Sequence, residues 1–167
     1  MHVDIRDEGP RDVAAIRELN IVAFEKDQEA NIVDALRANG AALLSLVATL
    51  NDRVVGHIMY SPVSLGEVVG AGLGPMAVLP AHQCQGIGSK LVEAGNRKLE
   101  QAGYPFIVVV GHPNFYPRFG FSPAREFGIT CEWDVPDDAF MVSVLDPPKM
   151  HAVSGFAKYR PEFSTVA

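Results

Sequence analysis

The stretch from Leu73 to Gly103 constrains the fold of this chain more than any other part of the sequence. Its first residues form an apolar segment short enough to be a buried strand, and that segment stops at Pro80. Polar residues and two glycines, Gly86 and Gly88, come next. A stripe at helical spacing then consists of Ile87, Leu91, Ala94, Lys98 and Ala102. The sequence therefore predicts a strand, a glycine-bearing turn and a helix in direct succession.

A junction of this kind is a candidate anion site. The first amide N–H groups of a helix have no acceptor within the helix, and the helix dipole adds about half a positive charge there. A glycine also lets a ligand come closer to the backbone than a side chain would allow. For two glycines alone, an ordinary tight turn before a surface helix is an equally good interpretation.

The amino-acid sequence of the turn favours the anion site. Residues Gln83 to Gly88 fit the pattern Gln/Arg-x-x-Gly-x-Gly/Ala and follow a strand that ends in Val-Leu-Pro. This combination resembles the coenzyme A pyrophosphate loop of the GNAT superfamily of N-acetyltransferases. A P-loop fits worse because Ser89 precedes Lys90 and no glycine stands directly before the lysine. A dinucleotide fingerprint needs a third glycine, and Leu91 occupies that position.

A second motif agrees with the first. Residues Tyr116 to Phe121 resemble the Tyr-x-x-x-Gly-Phe that GNAT enzymes carry on the short helix after their fifth strand. The two motifs stand in the family's order. The exact sequence of this motif, Tyr-Pro-Arg-Phe-Gly-Phe, and the long C-terminal extension resemble those of the YhbS-like subgroup of predicted acetyltransferases.

The resemblance implies a fold as well as a function. A GNAT fold is of the α/β (α+β) class, with a mixed central sheet of about seven strands, flanked by about four helices and with splayed central strands. The length of 167 residues suits one domain. We therefore expect residues 1–167 to form a single GNAT acyltransferase domain.

Local patterns predict the individual elements. A first helix is expected to start at Gly9-Pro10, with Pro10 at its first position and an apolar face that ends at Ala23 and Phe24. A second helix is expected after Asp27, closed by Gly40. The expected strands are 3–6, 43–50, 54–60, 63–69, 105–111, 129–133, 139–145 and 155–159. The passage from Met76 to Val110 predicts a parallel, right-handed crossover.

Several finer expectations follow from single residues. Asn51-Asp52 is typical of a hairpin turn. Pro62 is expected to end a strand, and Gly70 to Gly72 to form a bend. The segments 129–133 and 139–145 are expected to be antiparallel strands, and 155–159 to lie at an edge of the sheet.

The resemblance also implies which residues bind coenzyme A. In the family, backbone N–H groups of the central strand stabilise the oxyanion, and the loop binds the diphosphate. The residues expected to bind the cofactor are Met76, Ala77, Val78, Gln83, Cys84, Gln85, Gly86, Ile87, Gly88, Ser89 and Asn114. Gln83 is expected to donate through its side chain, and Asn114 either contacts the coenzyme or caps the short helix.

Tyr116 is the candidate catalytic residue. The resemblance implies that it is a general acid for the departing thiolate of coenzyme A. The alternative is that Tyr116 only packs among Phe115, Phe119 and Phe121. A covalent route through Cys84 is disfavoured, because a cysteine among phosphate-binding amides is badly placed for the thioester carbon.

The general base is the part that the sequence leaves open. An alkylamine with a pKa of about 10.4 is neutral in about one molecule in 2,500 at pH 7, which costs roughly 4.6 kcal/mol. Many relatives place a glutamate at the start of the central strand, but this chain has Gly72, Leu73 and Gly74 there. Glu67, His57 or an ordered water are the candidates, or the acceptor is an amine of lower pKa.

The composition of the chain limits the classes of partner that it can bind. The net charge of −6 argues against nucleic acid and mildly favours a cationic acceptor. No apolar run approaches the ~20 residues of a membrane span. The first residues lack a signal-peptide core, so we expect a cytoplasmic protein without membrane contact. Neither the two cysteines, Cys84 and Cys131, nor the histidines stand at metal-ligand spacing, so no metal is expected.

These observations predict an acetyl-CoA-dependent N-acetyltransferase. It would transfer the acyl group directly from the thioester to a primary amine of a small molecule or peptide, with acetyl-CoA as co-substrate. The alternative is a catalytically weak or inactive coenzyme A-binding sensor or interaction module, which the missing base favours. Exposed strands near the C-terminus make a homodimer possible.

Overall fold

The computed structural model describes residues 2–165, which form two compact units. Within the described residues, the first unit contains 2–60, 74–95 and 161–165, and the second contains 61–73 and 96–160. The strands are β1 Asp4–Asp7, β2 Leu44–Leu50, β3 Arg53–Leu65, β4 Val68–Val78, β5 Phe106–Val110, β6 Ser122–Pro123, β7 Ile129–Cys131, β8 Phe140–Val144 and β9 Gly155–Lys158. The α-helices are α1 Val13–Phe24, α2 Gln28–Ala38, α3 Ile87–Gln101, α4 Pro147–Met150 and α5 Glu162–Thr165.

In the first unit, an antiparallel meander lies next to two helices. Strand β2 pairs with β1 and with β3, and Val47 stands opposite His57. The β2–β3 turn is the predicted hairpin, since Asn51 and Asp52 take φ values of 52° and 63°. The core between the meander and the helices α1 and α2 consists of Ile16, Ile32, Val33, Leu36, Ala41, Val47 and Met59.

In the second unit, parallel and antiparallel pairs share one sheet. Strand β4 pairs in parallel with β5 from Ala71 to Leu73, and β5 pairs antiparallel with β8. Strand β8 also pairs with β6, and β9 pairs with β3. The β4–β5 register ends at Leu73, although β4 continues to Val78. The predicted parallel crossover and mixed sheet are therefore confirmed.

The expected break at Pro62 is wrong. Strand β3 continues through Pro62 to Leu65, and 63–69 is not a separate strand. The pairing of β3 with β2 stops near Tyr60, and its pairing with β9 starts at Ser64. Strands β2 and β9 pair with the same edge of β3, and among the described residues neither of them pairs with Pro62. The missing N–H of Pro62 therefore breaks no hydrogen bond between strands.

The expected bend at Gly70 to Gly72 is also wrong, because these residues belong to β4. Here the glycines make room for rings rather than for a turn. A Cβ at Gly70 would lie 2.6 Å from Cε1 of Phe106, and one at Gly72 would lie 2.8 Å from Cε2 of Tyr159.

The C-terminal strands differ from expectation as well. Strand β7 pairs in parallel with β9, not antiparallel with β8. Strand β9 has β3 on one side and β7 on the other, so it is not an edge strand. The described residues form nine strands and five α-helices, more than the seven and four expected, because several elements have only two to four residues. Within residues 2–165, no helix is both long and apolar enough to cross a bilayer.

Candidate active site

The predicted anion-binding loop lies in the first unit, between β4 and α3. Leu79 is extended, and its N–H donates to Val55 O at 2.9 Å, which fixes the end of the central strand. A short 3-10 turn, Pro80–His82, follows. The side chain of Gln83 donates through Nε2 to Val78 O at 3.0 Å. One of its amide hydrogens therefore holds the loop onto β4.

The loop then reaches the helix through two residues of positive φ. Cys84 has a φ of 62° and Gly86 a φ of 83°, a conformation that glycine adopts with little strain and cysteine rarely adopts. Helix α3 begins at Ile87, whose side chain is only 1% exposed and packs over Gly56 of β3. That buried side chain anchors the first turn of α3 to the sheet of the first unit.

The first backbone N–H groups of α3 have no acceptor within the helix. Lys90 N donates to Gly86 O at 3.1 Å, so the N–H groups of Ile87, Gly88 and Ser89 precede the first hydrogen bond of this helix and have no acceptor within it. A Cβ added at Gly86 would meet no described atom within 4 Å. The junction is therefore open, and its donors suit a phosphate group.

The end of β4 supplies the other backbone donors that the resemblance implies. The side chain of Ala77 is buried, whereas Met76 and Val78 are half-buried. All three residues belong to the part of β4 beyond Leu73, where the register with β5 has ended. Their backbone N–H groups stay the predicted oxyanion donors.

Tyr116 lies in the second unit, at the start of the 3-10 helix Tyr116–Phe119 that follows β5. Its side chain is 7% exposed. The ring packs edge-on against Phe115, with centroids 4.9 Å apart and planes at 86°, and against Phe121, at 5.7 Å and 79°. Burial raises the pKa of Tyr116 to about 12. Tyr116 is thus a packed aromatic that also keeps its proton throughout the physiological range.

This raised pKa restricts what the phenol can do. Complete transfer of its proton to a thiolate whose conjugate acid has a pKa of about 8.5 would cost about 5 kcal/mol. A hydrogen bond from the neutral phenol to a negatively charged sulfur has no such cost. Tyr116 is therefore suited to donating a hydrogen bond, and its proton can leave only if another acid replaces it.

Asn114 does not cap the short helix. It is exposed, and the residue at the N-cap is Phe115, which makes no side-chain capping hydrogen bond. The helix-cap interpretation is therefore wrong, and contact with the coenzyme stays the prediction for Asn114.

His57 is not placed to act as a base. It is 0% exposed on β3, in the core of the first unit. The Ser45 hydroxyl donates to Glu8, so Nε2 of His57 must donate its hydrogen to Ser45 Oγ at 2.9 Å. Burial lowers the pKa of His57 to about 4. A neutral, enclosed imidazole cannot take a proton from an amine in solution.

Neither Glu67 nor position 72 supplies a carboxylate base on the central strands. Glu67 is exposed in the turn between β3 and β4, not on a strand. A Cβ at Gly72 would lie 2.7 Å from Cγ2 of Val63 and 2.8 Å from Tyr159. A glutamate therefore does not fit at position 72. Among the residues the structure describes, no three His, Cys, Asp or Glu side chains are grouped to hold a metal ion.

The fold and the two motifs define a class, the acyltransferases with a mixed α/β fold and a strand–loop–helix with an open helix start. Residues 41–123 match the model of the acetyltransferase (GNAT) domain. The chain is 36% identical over 163 residues to the uncharacterized N-acetyltransferase YhbS of Escherichia coli strain K12, covering 96% of this chain and 98% of that protein.

Two solved structures agree with this result. The Escherichia coli YhbS structure in complex with CoA has a TM-score of 0.94 and 34% identity, and the match covers 100% of this chain and 94% of that one. A GNAT family acetyltransferase from Brucella melitensis in complex with acetyl-CoA has a TM-score of 0.83 and 37% identity, with coverage of 98% and 99%. This chain belongs to the GNAT family of acetyltransferases. The predicted fold, family and enzyme class are confirmed.

Proposed function

We propose that this acetyltransferase transfers the acetyl group of acetyl-CoA directly to a primary amine, without a covalent acyl-enzyme. The observation that carries the proposal is the open junction at Gly86, where the N–H groups of Ile87, Gly88 and Ser89 point out of the first turn of α3. Relatives at 34% and 37% identity are in complex with CoA and acetyl-CoA, which supports the same ligand for this chain.

The loop and the strand have separate roles in the proposal. Amides from Gln83 to Ser89 bind the diphosphate, helped by the positive end of the helix dipole. The resemblance to the coenzyme A loop implies basic side chains here, but this chain has Cys84 and Gln85. The backbone must therefore carry more of the phosphate charge. Backbone N–H groups from the stretch Met76 to Val78 donate to the thioester oxygen as its negative charge develops.

Tyr116 is proposed as the group that assists the leaving sulfur. Its phenol donates a hydrogen bond to the thiolate while the carbon–sulfur bond breaks. With a pKa of about 12, it passes its proton to sulfur only as it receives another one. The acceptor nitrogen becomes acidic once it is acylated, and it supplies that proton through water. The net result moves one proton from nitrogen to sulfur.

Water is the proposed route for deprotonating the amine, since His57 is enclosed and position 72 excludes a carboxylate. A primary amine of lowered pKa, such as an α-amine at about 7.7–8.0, fits this arrangement best. The net charge of −6 supports a cationic acceptor.

A cytoplasmic location and a homodimer complete the proposal. Cys84 and Cys131 are both free thiols, as is usual in a reducing compartment. On β9, Phe156 is 63% exposed, which supports a contact between copies of the chain. Sedimentation velocity of the wild type and of Phe156→Ser tests the dimer.

The experiment pairs binding with turnover. Calorimetric titration with CoA measures the Kd, and thiol release from acetyl-CoA with a panel of α-amines and alkylamines measures kcat. We expect Tyr116→Phe to lower kcat by about 10- to 150-fold, the loss of a hydrogen bond of ~1.5–3 kcal/mol to a charged group, with an unchanged Kd. A larger loss, up to ~10⁴-fold, would indicate full proton transfer.

Tyr104→Phe is the matched control, because Tyr104 is only half-buried and lies outside both motifs. It should keep the wild-type kcat. If Tyr116→Phe keeps the wild-type kcat at saturating substrate, Tyr116 has no role in the reaction. Tight CoA binding without turnover on any amine would favour the sensor module instead.

A further inference from the structure

We infer that Gly111 is a positioning residue, which sets the phenol ring of Tyr116 in place for the leaving sulfur. This inference rests on the proposed role of Tyr116. Gly111 directly follows β5, five residues before the tyrosine. Neither motif includes it, and no sequence pattern assigned it a role.

The first step is steric. A Cβ built on Gly111 would overlap Cε2 of Tyr116, and it would lie 3.0 Å from Cδ2 and 3.3 Å from Cζ. The ring therefore lies directly against the backbone at Gly111. Any other residue type at this position would have to push the ring away.

The second step is that the backbone itself does not require glycine there. Gly111 is not among the glycines with positive φ, so its conformation is open to other residues. What requires glycine is the neighbouring ring. This separates Gly111 from Gly86 and Gly120, whose φ values are 83° and 90°.

The third step is that the strand cannot yield in place of the ring. Gly111 N donates to Ala139 O at 2.9 Å, and the preceding Val110 stands opposite Phe140 in the β5–β8 ladder. The slot that holds the phenol therefore has three walls: the Gly111 backbone, Phe115 and Phe121. A methyl group on Gly111 therefore displaces the ring, because the hydrogen-bonded backbone cannot move away from it.

The consequence is a defined effect on catalysis. Restoring normal contact beyond an added methyl requires a ring displacement on the order of 1 Å, and misplacement by that distance can cost up to ~10²-fold in rate. We expect Gly111→Ala to lower kcat by about 10-fold or more. The loss should not exceed that of Tyr116→Phe, since displacement cannot remove more than the whole hydroxyl contribution.

A double-mutant cycle separates positioning from a general structural role. In the Tyr116→Phe background, the phenylalanine ring meets the same added methyl but has no hydroxyl to misplace. We expect Gly111→Ala to change kcat there by less than about 3-fold, and the Kd for CoA to stay the same in all four proteins. An equal loss of kcat in both backgrounds would overturn the inference.

Gly9→Ala is the control substitution. The φ of Gly9 is −111°, and an added Cβ would meet its nearest atom, Asp12 Oδ2, at 3.7 Å. It should keep full turnover. If Gly111→Ala does not fold, Phe121→Leu loosens another wall of the slot and is measured in the same cycle, with the same two outcomes.

A readout without turnover distinguishes failure of the inference from failure of the proposed function. Absorbance at alkaline pH follows ionisation of the phenols. Displacement of the ring from its slot should move the Tyr116 ionisation from about 12 towards the ordinary value of about 10. If Tyr116→Phe is fully active but Gly111→Ala still gives this shift, only the proposed role of Tyr116 fails. If Gly111→Ala gives no shift, the positioning inference fails.

Discussion

Because His57 is buried, the free energy of unfolding of this protein should decrease as the pH falls below 6.5. Its side chain is 0% exposed, and Nε2 donates to Ser45 Oγ at 2.9 Å. Nδ1 has no hydrogen-bond partner among the described residues. A proton added at Nδ1 would therefore be a buried, unpaired charge. This is the physical reason that burial lowers the pKa of His57 to about 4.

The direction of the effect follows from proton linkage. An unfolded histidine binds a proton near pH 6.5, whereas the folded one does so only near pH 4. The unfolded state therefore gains protons first as the pH falls, and the free energy of unfolding decreases between pH 6.5 and 4. The loss is about 2 kcal/mol at pH 5 and about 3 kcal/mol at pH 4.

Urea unfolding followed by circular dichroism at pH 7, 6 and 5 measures this loss. His57→Gln keeps a side-chain N–H that can donate to Ser45 but cannot titrate. We expect the variant to be less dependent on pH by about 2 kcal/mol over this interval. His151→Gln is the control, because His151 is exposed, and it should follow the wild type. Equal pH dependence of His57→Gln and the wild type would refute the reasoning.

Glu8 changes stability in the same direction at lower pH. Burial opposes its ionisation, but hydrogen bonds from Arg37 and Ser45 prevail and lower the pKa of Glu8. Arg37 contacts it through Nε at 2.7 Å and Nη2 at 2.9 Å. Stability from this pair is present above the ordinary carboxyl pKa and is lost as the pH falls through the lowered value. The experiment therefore stops at pH 5, where His57 dominates.

Two further predictions concern the reaction itself. Because the pKa of Tyr116 is about 12, kcat should show no alkaline loss from this phenol up to about pH 10.5, which steady-state rates in a constant-ionic-strength buffer series will test. Half-loss near pH 10 would indicate an ordinary, solvated phenol. Cys84→Ala should keep the wild-type kcat, since the proposal has no acyl-enzyme. Accumulation of an acylated protein that disappears in Cys84→Ala, seen by intact-mass spectrometry, would contradict direct transfer.

Elements that depend on local chemistry could be predicted from the sequence. The Asn51-Asp52 hairpin and the helix start after Gly86 belong to this class, since each follows from the conformational preferences of adjacent residues. The buried strand β5 follows from an unbroken apolar run. Here local preference and tertiary packing agree.

The wrong predictions at Pro62 and Gly72, and the choice of His57 as a candidate base, share one cause, which is that the decisive neighbour is not adjacent in sequence. Pro62 is tolerated because β3 changes partner from β2 to β9 near that position. The glycine at 72 exists because of the ring of Tyr159. The environment of His57 depends on Glu8 and Ser45. No local pattern carries such information. Gly111 was missed for a different reason: it is only five residues from Tyr116, but it lies outside both motifs.

The central claim is that backbone N–H groups at the start of α3 bind the diphosphate of the acyl carrier. Amide chemical shifts of ¹⁵N-labelled protein, titrated with CoA and with pantetheine, test it most directly, because pantetheine lacks the diphosphate. We expect CoA to shift the amide signals of Ile87, Gly88 and Ser89 and pantetheine to leave them in place. Saturation with CoA without movement of those three signals, or equal shifts from pantetheine, would contradict it.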